Sequence, residues 1–183
     1  MEPPLRLRED GWVFEKAHIL QWSPDGIRRR KILYYFFKKN NFMRKINLII
    51  IHCSATKVTQ NFPVEALEAC HKARGFRTIG YHYYITKDGY LYPCRPEEEI
   101  GAHAKHYNAR SIGICYEGGL DANGHPADTR TPAQLRTMQD LLHGLALDYP
   151  EAEIIGHRDL PWVKKSCPCF DVKKWLQDIH FHI

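Results

Sequence analysis

Ile46-Asn47-Leu48-Ile49-Ile50-Ile51-His52 (INLIIIH) decides the reading of this chain. A strand with one face in water alternates apolar and polar residues. A strand covered on both faces does not need to, and a nearly unbroken β-branched run is its mark. The run therefore predicts an inner strand of a sheet with helices packed on its faces. It ends on His52, so an imidazole is delivered at the carboxyl end of that strand.

Outward from this stretch, strand and helix patterns alternate. Val64 to Arg74 reads as a helix, with Pro63 suited to its first turn and Gly75 to its stop. Tyr81 to Thr86 and Tyr90 to Tyr92 flank Asp88-Gly89, a hairpin signal. Ser111 to Tyr116 (SIGICY) is a further strand, ended by Gly118-Gly119. Thr131 N-caps a long helix to about Tyr149, with Pro132 in its first turn. Glu153 to Gly156 is a short strand, and Asp171 caps a last helix through Leu176. The sum is an α/β fold: one domain over residues 46–183, with a central mixed β-sheet flanked by helices.

Residues 1–45 read differently. They carry 11 Lys/Arg against 5 Asp/Glu, whereas the remainder carries 15 against 16, so the net charge of +5 belongs to this segment. It holds Pro3-Pro4, the run Arg28-Arg29-Arg30-Lys31 and the string Tyr34 to Asn41, and no helical or strand period persists. Two readings stand. Either Met43 is the natural start and residues 1–42 lie outside the working protein, or the segment is a basic arm that binds polyanions or a membrane surface. A nearly neutral body argues against nucleic acid as its partner. No stretch approaches the roughly 18 apolar residues of a membrane span. Ile32 to Phe37 is shorter than a signal-peptide core and runs into Lys38-Lys39, so the chain is expected to be cytoplasmic as synthesised. Without a secretion signal, the six cysteines are expected as reduced thiols or metal ligands rather than disulfides.

Three ligand-type residues occupy informative places. His52 ends the buried strand, His157 follows a strand and Gly156, and Cys167 lies in the loop before the last helix. Neighbouring strand ends can bring the two histidines together, and the loop can return the cysteine to them. Two imidazoles and one thiolate leave one tetrahedral position open, the layout of a catalytic zinc site, and the soft thiolate favours zinc over magnesium or calcium. Taken alone the trio is weak, because eleven histidines and six cysteines allow many such choices.

Seven motifs occur in order: Ile51-His52-Cys53-Ser54-Ala55-Thr56, Gly80-Tyr81-His82-Tyr83, Gly101-Ala102-His103-Ala104, Asn108 with Ser111-Ile112-Gly113-Ile114, Gly156-His157-Arg158, Lys165-Ser166-Cys167-Pro168 and Phe170-Asp171. The series resembles the N-acetylmuramoyl-L-alanine amidases of the phage lysozyme type, relatives of the peptidoglycan recognition proteins and of bacterial recycling amidases. The resemblance spans about residues 46–178. It implies that His52, His157 and Cys167 hold Zn2+, that Tyr81 and Lys165 are catalytic, and that His103 and Asn108 line the substrate groove. The implied reaction is hydrolysis of the amide joining N-acetylmuramic acid to the L-alanine of the stem peptide. The implied partner is peptidoglycan or a muropeptide, met at the cell wall after release or as an imported fragment, by a chain expected to be a monomer. The alternative is a recognition module that binds peptidoglycan without cutting it.

The residue types suit that chemistry. Zinc lowers the pKa of a bound water to about 7 and polarises a carbonyl. Lys165 would stabilise the tetrahedral oxyanion, and Tyr81 would donate to the same oxygen or position the water. Some recycling relatives carry a Glu where this chain has Cys115, which leaves Tyr81 or the metal-activated water to serve as base. Strand alternation turns His82 and Cys53 away from a site that holds Tyr81 and His52. Cys169 is a rival ligand to Cys167, restrained by Pro168 between them. Arg158 and Asp159 are either supports for His157 or a surface pair.

Overall fold

The computed structural model describes residues 12–22, 28–38 and 44–181, with side chains from Arg44 onward. Residues Met1–Met43 and Arg44–Ile183 are two separate units. In the first, β1 (Trp12–Trp22) and β2 (Arg28–Lys38) pair antiparallel, from Trp12 opposite Lys38 to Trp22 opposite Arg28. The sequence shows no sustained period here. Backbone ladder bonds need only extended residues, and the β-branched and aromatic content of these segments favours extension. The candidate start at Met43 lies outside the described residues.

The second unit is built on β3 (Leu48–Cys53), which is buried along its whole length. It pairs in parallel with β7 (Ser111–Tyr116) on one side and β9 (Glu153–Gly156) on the other. Beyond β7 come β5 (Tyr83–Ile85), also parallel, and β6 (Leu91–Pro93), antiparallel to β5. The sheet order is β6-β5-β7-β3-β9, so the INLIIIH stretch does form an inner strand of a mixed sheet. A small parallel pair, β4 (Thr56–Lys57) and β8 (Gly119–Leu120), was not legible in the sequence, because two-residue strands leave no period. The first hairpin strand starts at Tyr83, so Tyr81 stands just ahead of it.

The pleat sorts β3 between two layers. Ile49, Ile51 and Cys53 join Ile112, Ile114 and Tyr116 beneath α2 (Pro132–Asp148), where Met138, Leu142 and Leu145 complete the core with Val172 of α3 (Val172–Asp178). Leu48 and Ile50 face the other way, onto Ala104, Ile155 and Leu160. On that second face Leu67 of α1 (Val64–Ala73) packs with Ile79, Tyr84 and Cys115. His52 follows Leu48 and Ile50 in the alternation and so belongs to the second face.

Local chemistry agrees with this plan. Helix α1 stops where Gly75 turns left-handed at φ 83°, with its N–H on the Lys72 carbonyl at 2.9 Å. Helix α2 opens with a capping box. The Thr131 hydroxyl accepts from the Gln134 N–H at 3.1 Å, and the Gln134 side chain accepts from the Thr131 N–H at 3.0 Å. The same Gln134 amide donates to the carbonyls of Ile85 and Glu117, tying the helix start to two strand ends. The Thr131 hydroxyl also donates to the Lys87 carbonyl at 2.6 Å. Thr131→Ala removes both roles and is expected to cost about 1–2 kcal/mol in urea unfolding.

Candidate metal centre

The register of β3 and β9 builds the site. Ile51 stands opposite Gly156, so the next residue of each parallel strand, His52 and His157, emerges at the same edge. Their rings lie 4.4 Å apart between centroids. The chain then leaves through a 3-10 turn, His157–Asp159, held by the Asp159 carboxylate accepting from the Gly156 N–H at 2.8 Å. It comes back when the Arg158 N–H donates to the Cys167 carbonyl at 2.7 Å, and the Tyr116 hydroxyl donates to the Pro168 carbonyl at 2.6 Å. Cys167 is thereby returned to His52, with Sγ 3.9 Å from Nδ1. The donor atoms of His52, His157 and Cys167 all lie within 4.8 Å of one another.

A relay fixes which nitrogen of His52 faces inward. The Ser111 hydroxyl donates to the Tyr107 carbonyl at 2.8 Å, so its oxygen accepts from His103 Nε2–H at 3.4 Å. His103 Nδ1 is then the acceptor for His52 Nε2–H, at 3.0 Å. The lone pair of His52 Nδ1 is left pointing at Cys167. This is how second partners of ligand histidines select the tautomer. Asn108 fastens the loop that carries His103: its side-chain oxygen accepts from the N–H groups of His103 and Ala104 at 2.9 and 2.8 Å.

The electrostatics favour the ligand-competent state of all three residues, since metal ligands bind as neutral imidazole and thiolate. Burial holds His52 well below the ordinary histidine range, helped by His103, His157 and the Lys165 charge. Burial and then Lys165 also lower His157. Cys167 is lowered by hydrogen bonding from the Cys53 side chain, with the Cys53 backbone N–H donating at 3.3 Å. Contact with Cys167, ahead of burial, pushes Cys53 up to about 12, and contact with Cys53 pushes Cys169 up. Thiolate character thus concentrates on Cys167, and Cys169 stands apart from the cluster with its sulfur on Cys53.

Tyr81 borders the site, its ring 5.1 Å from His52 and 5.4 Å from His71. His71 accepts from the Gly80 N–H at 2.9 Å and so sets the backbone ahead of Tyr81. Burial raises the Tyr81 phenol well above its usual value, with Cys115 adding to the effect. Lys165 is exposed on the loop that carries Cys167, and its charge reaches His52, His157 and Cys167. His82 is fully buried and accepts from the Gly113 N–H at 2.9 Å. A cavity of about 420 Å³ opens beside His157, walled by Tyr107, Leu160 and Trp162. Trp162 is 96% exposed there, which makes it the most exposed of the large apolar side chains among the described residues.

A family model described as N-acetylmuramoyl-L-alanine amidase matches residues 42–170. The chain belongs to that family. It is 40% identical over 129 residues to an endolysin of Klebsiella phage KP32, covering 70% of this chain and 84% of that protein. Among solved structures, the N-acetylmuramoyl-L-alanine amidase LysC from Clostridium intestinale URNW superposes with a TM-score of 0.64 at 30% identity, over 78% of this chain and 90% of that one. A point mutant of Drosophila PGRP-LB, solved in complex with tracheal cytotoxin, shares the fold with a TM-score of 0.60 at 22% identity, over 75% and 83% of the two chains. Among the described residues no helix of this amidase-family chain is long and apolar enough to cross a membrane.

Sequence reasoning missed Ser111 as the end of the relay and Gly113 as the residue that makes room for it. A Cβ on Gly113 would stand 2.6 Å from two atoms of the His103 ring. The signal was present in Ser111-Ile112-Gly113, a small residue at each second-face position of an otherwise bulky strand. Gly113→Ala is expected to displace His103 and weaken metal affinity roughly 10- to 100-fold, read by competition with a chelating dye.

Five histidines among the described residues have lowered pKa values: His52, His71, His103 and His157, and His82 at about 4, in each case first through burial. The unfolded chain takes up protons near about pH 6.5, whereas the native imidazoles resist them. Native stability is therefore retained above that pH and lost as pH falls below it. Thermal melts of metal-free protein should shift steadily downward between about pH 7 and about pH 5.

Proposed function

We propose that this chain hydrolyses the amide between N-acetylmuramic acid and L-alanine in peptidoglycan, using Zn2+ held by His52, His157 and Cys167. The observation that carries the reading is the convergence of those three donor atoms within 4.8 Å at one sheet edge. Two neutral nitrogens and one thiolate are a donor set that suits zinc and leaves a fourth position open. Zinc bound there would supply an activated water and a polarised carbonyl.

The protein's own groups do the rest. The Lys165 ammonium, carried on the exposed ligand loop, faces the negative charge that develops on the carbonyl oxygen, a kind of contact that contributes roughly 3–4 kcal/mol. Tyr81 is held as a phenol, so at neutral pH it donates a hydrogen bond rather than accepting a proton. Its place beside His52 suits the same oxygen. The His103–Ser111 relay keeps the first ligand's ring fixed while charge shifts. His103 and Asn108 would also line the substrate groove, beside their task of holding His52 and the loop behind it. The cavity beside His157 gives the substrate its approach, and Trp162 offers a flat apolar face for a sugar ring or peptide chain.

The test is purified protein with a defined muropeptide. Stem peptide should be released, release should stop on chelation, and zinc should restore it. Cys167→Ser should weaken zinc binding far more than Cys169→Ser. Release that persists after complete metal removal, or binding with no release, would overturn the reading.

A further inference from the structure

Cys53 and Cys169 lie outside the ligand set, yet their sulfurs are 3.7 Å apart. Cys53 is the last residue of β3 and packs on the α2 face of the sheet. Cys169 reaches that face from the ligand loop by taking a left-handed backbone at φ 71°, which few residues other than glycine adopt. Its N–H donates to the Ser166 carbonyl at 2.6 Å, so the loop holds it in place. Gly119 of β8, itself at φ 97°, roofs the pair. A Cβ there would stand 2.5 Å from the Cys53 sulfur and 3.5 Å from the Cys169 sulfur. The glycine keeps open the space that two thiols fill. A disulfide would draw the two sulfurs in from 3.7 Å to roughly 2.0 Å.

We propose that Cys53 and Cys169 form an oxidation site, converted by a low-molecular-weight disulfide such as oxidised glutathione into an intramolecular disulfide that fastens the loop carrying Lys165 and Cys167 to β3. Cys169, the more accessible partner, gives up its proton as its sulfur attacks one sulfur of the reagent, and one glutathione leaves as the thiol. Cys53 then displaces the second glutathione from the mixed disulfide. The two protein thiols lose two electrons and two protons, and the reagent's disulfide becomes two thiols. Cys167 takes no part, because its sulfur serves the ligand cluster. The bond closes a loop of more than a hundred residues and ties the loop that carries Cys167 to the strand that carries His52. The cross-link rests on the two sulfurs alone. Its effect on metal retention rests on the zinc reading above, and the two are measured separately.

The experiment equilibrates zinc-loaded full-length protein in glutathione buffers from reducing to oxidising, then alkylates it and maps its peptides by mass spectrometry. A peptide pair joined through Cys53 and Cys169, two hydrogens lighter than the sum of its parts, is expected in the oxidising buffers. Cys169→Ser should abolish it, as should Cys53→Ala. Full alkylation of both cysteines throughout, a bridge that includes Cys167, or reaction confined to the exposed Cys70 would overturn the site. In a second measurement the oxidised protein should release zinc to a chelator several-fold more slowly than the reduced protein, with no such difference in Cys169→Ser. Equal or faster release would overturn the fastening role while leaving the mapped bridge standing.

Discussion

The pairing of β3 with β9 in the register Ile51 to Gly156 is the constraint on which the site depends. Both strands run the same way and end at the same edge, so each hands its next residue to one point. Side chains alternate with a period of two, so a slip of one residue would turn His52 into the α2 layer and leave His157 alone. The register is defended by burial on both faces. Ile49 and Ile51 are locked among α2 residues, and Leu48 and Ile50 among the residues of the opposite layer. The site is therefore set by a strand buried along its whole length.

The third candidate ligand arrives by a different principle. Cys167 sits on a loop, and this loop is held by hydrogen bonds as well as by the burial of Pro168 and Phe170. Here the Arg158 N–H, the Tyr116 hydroxyl and the Cys53 N–H each grip the returning segment, at the Cys167 carbonyl, the Pro168 carbonyl and the Cys167 sulfur. Rigid strands supply the two histidines, and a clasped loop supplies the thiolate and the nearby ammonium of Lys165. The exposed outer part of that loop, with Trp162, faces the cavity beside His157.

The polar support behind His52 follows from the same sheet. Ser111 begins β7, whose register sets it opposite Leu48, and Gly113 leaves a hollow in that strand for the His103 ring. Position on a neighbouring strand thus decides the tautomer of a candidate ligand. Residues drawn from a loop at 103, a strand at 111 and a strand at 52 act as one unit only because the sheet brings them together.

Much of this was legible in the chain. INLIIIH announced an inner strand because β-branched residues without alternation need cover on both faces, and SIGICY and EIIG announced its neighbours. Thr131-Pro132-Ala133-Gln134 announced a helix start because its side chains cap their own backbone. The candidate ligands were visible by residue type and position. What the chain could not show was anything that depends on two distant segments meeting: the His52 to His103 contact, the Cys53 to Cys169 contact, the two-residue strands β4 and β8, and the placing of Cys167 beside the two histidines and of Cys169 against Cys53. Sequence patterns report local periods and caps, because those arise from neighbours along the chain. The choice of one thiol over another, and of one ring nitrogen over another, was made only by tertiary structure, because each depends on distances across the sheet that no local pattern encodes.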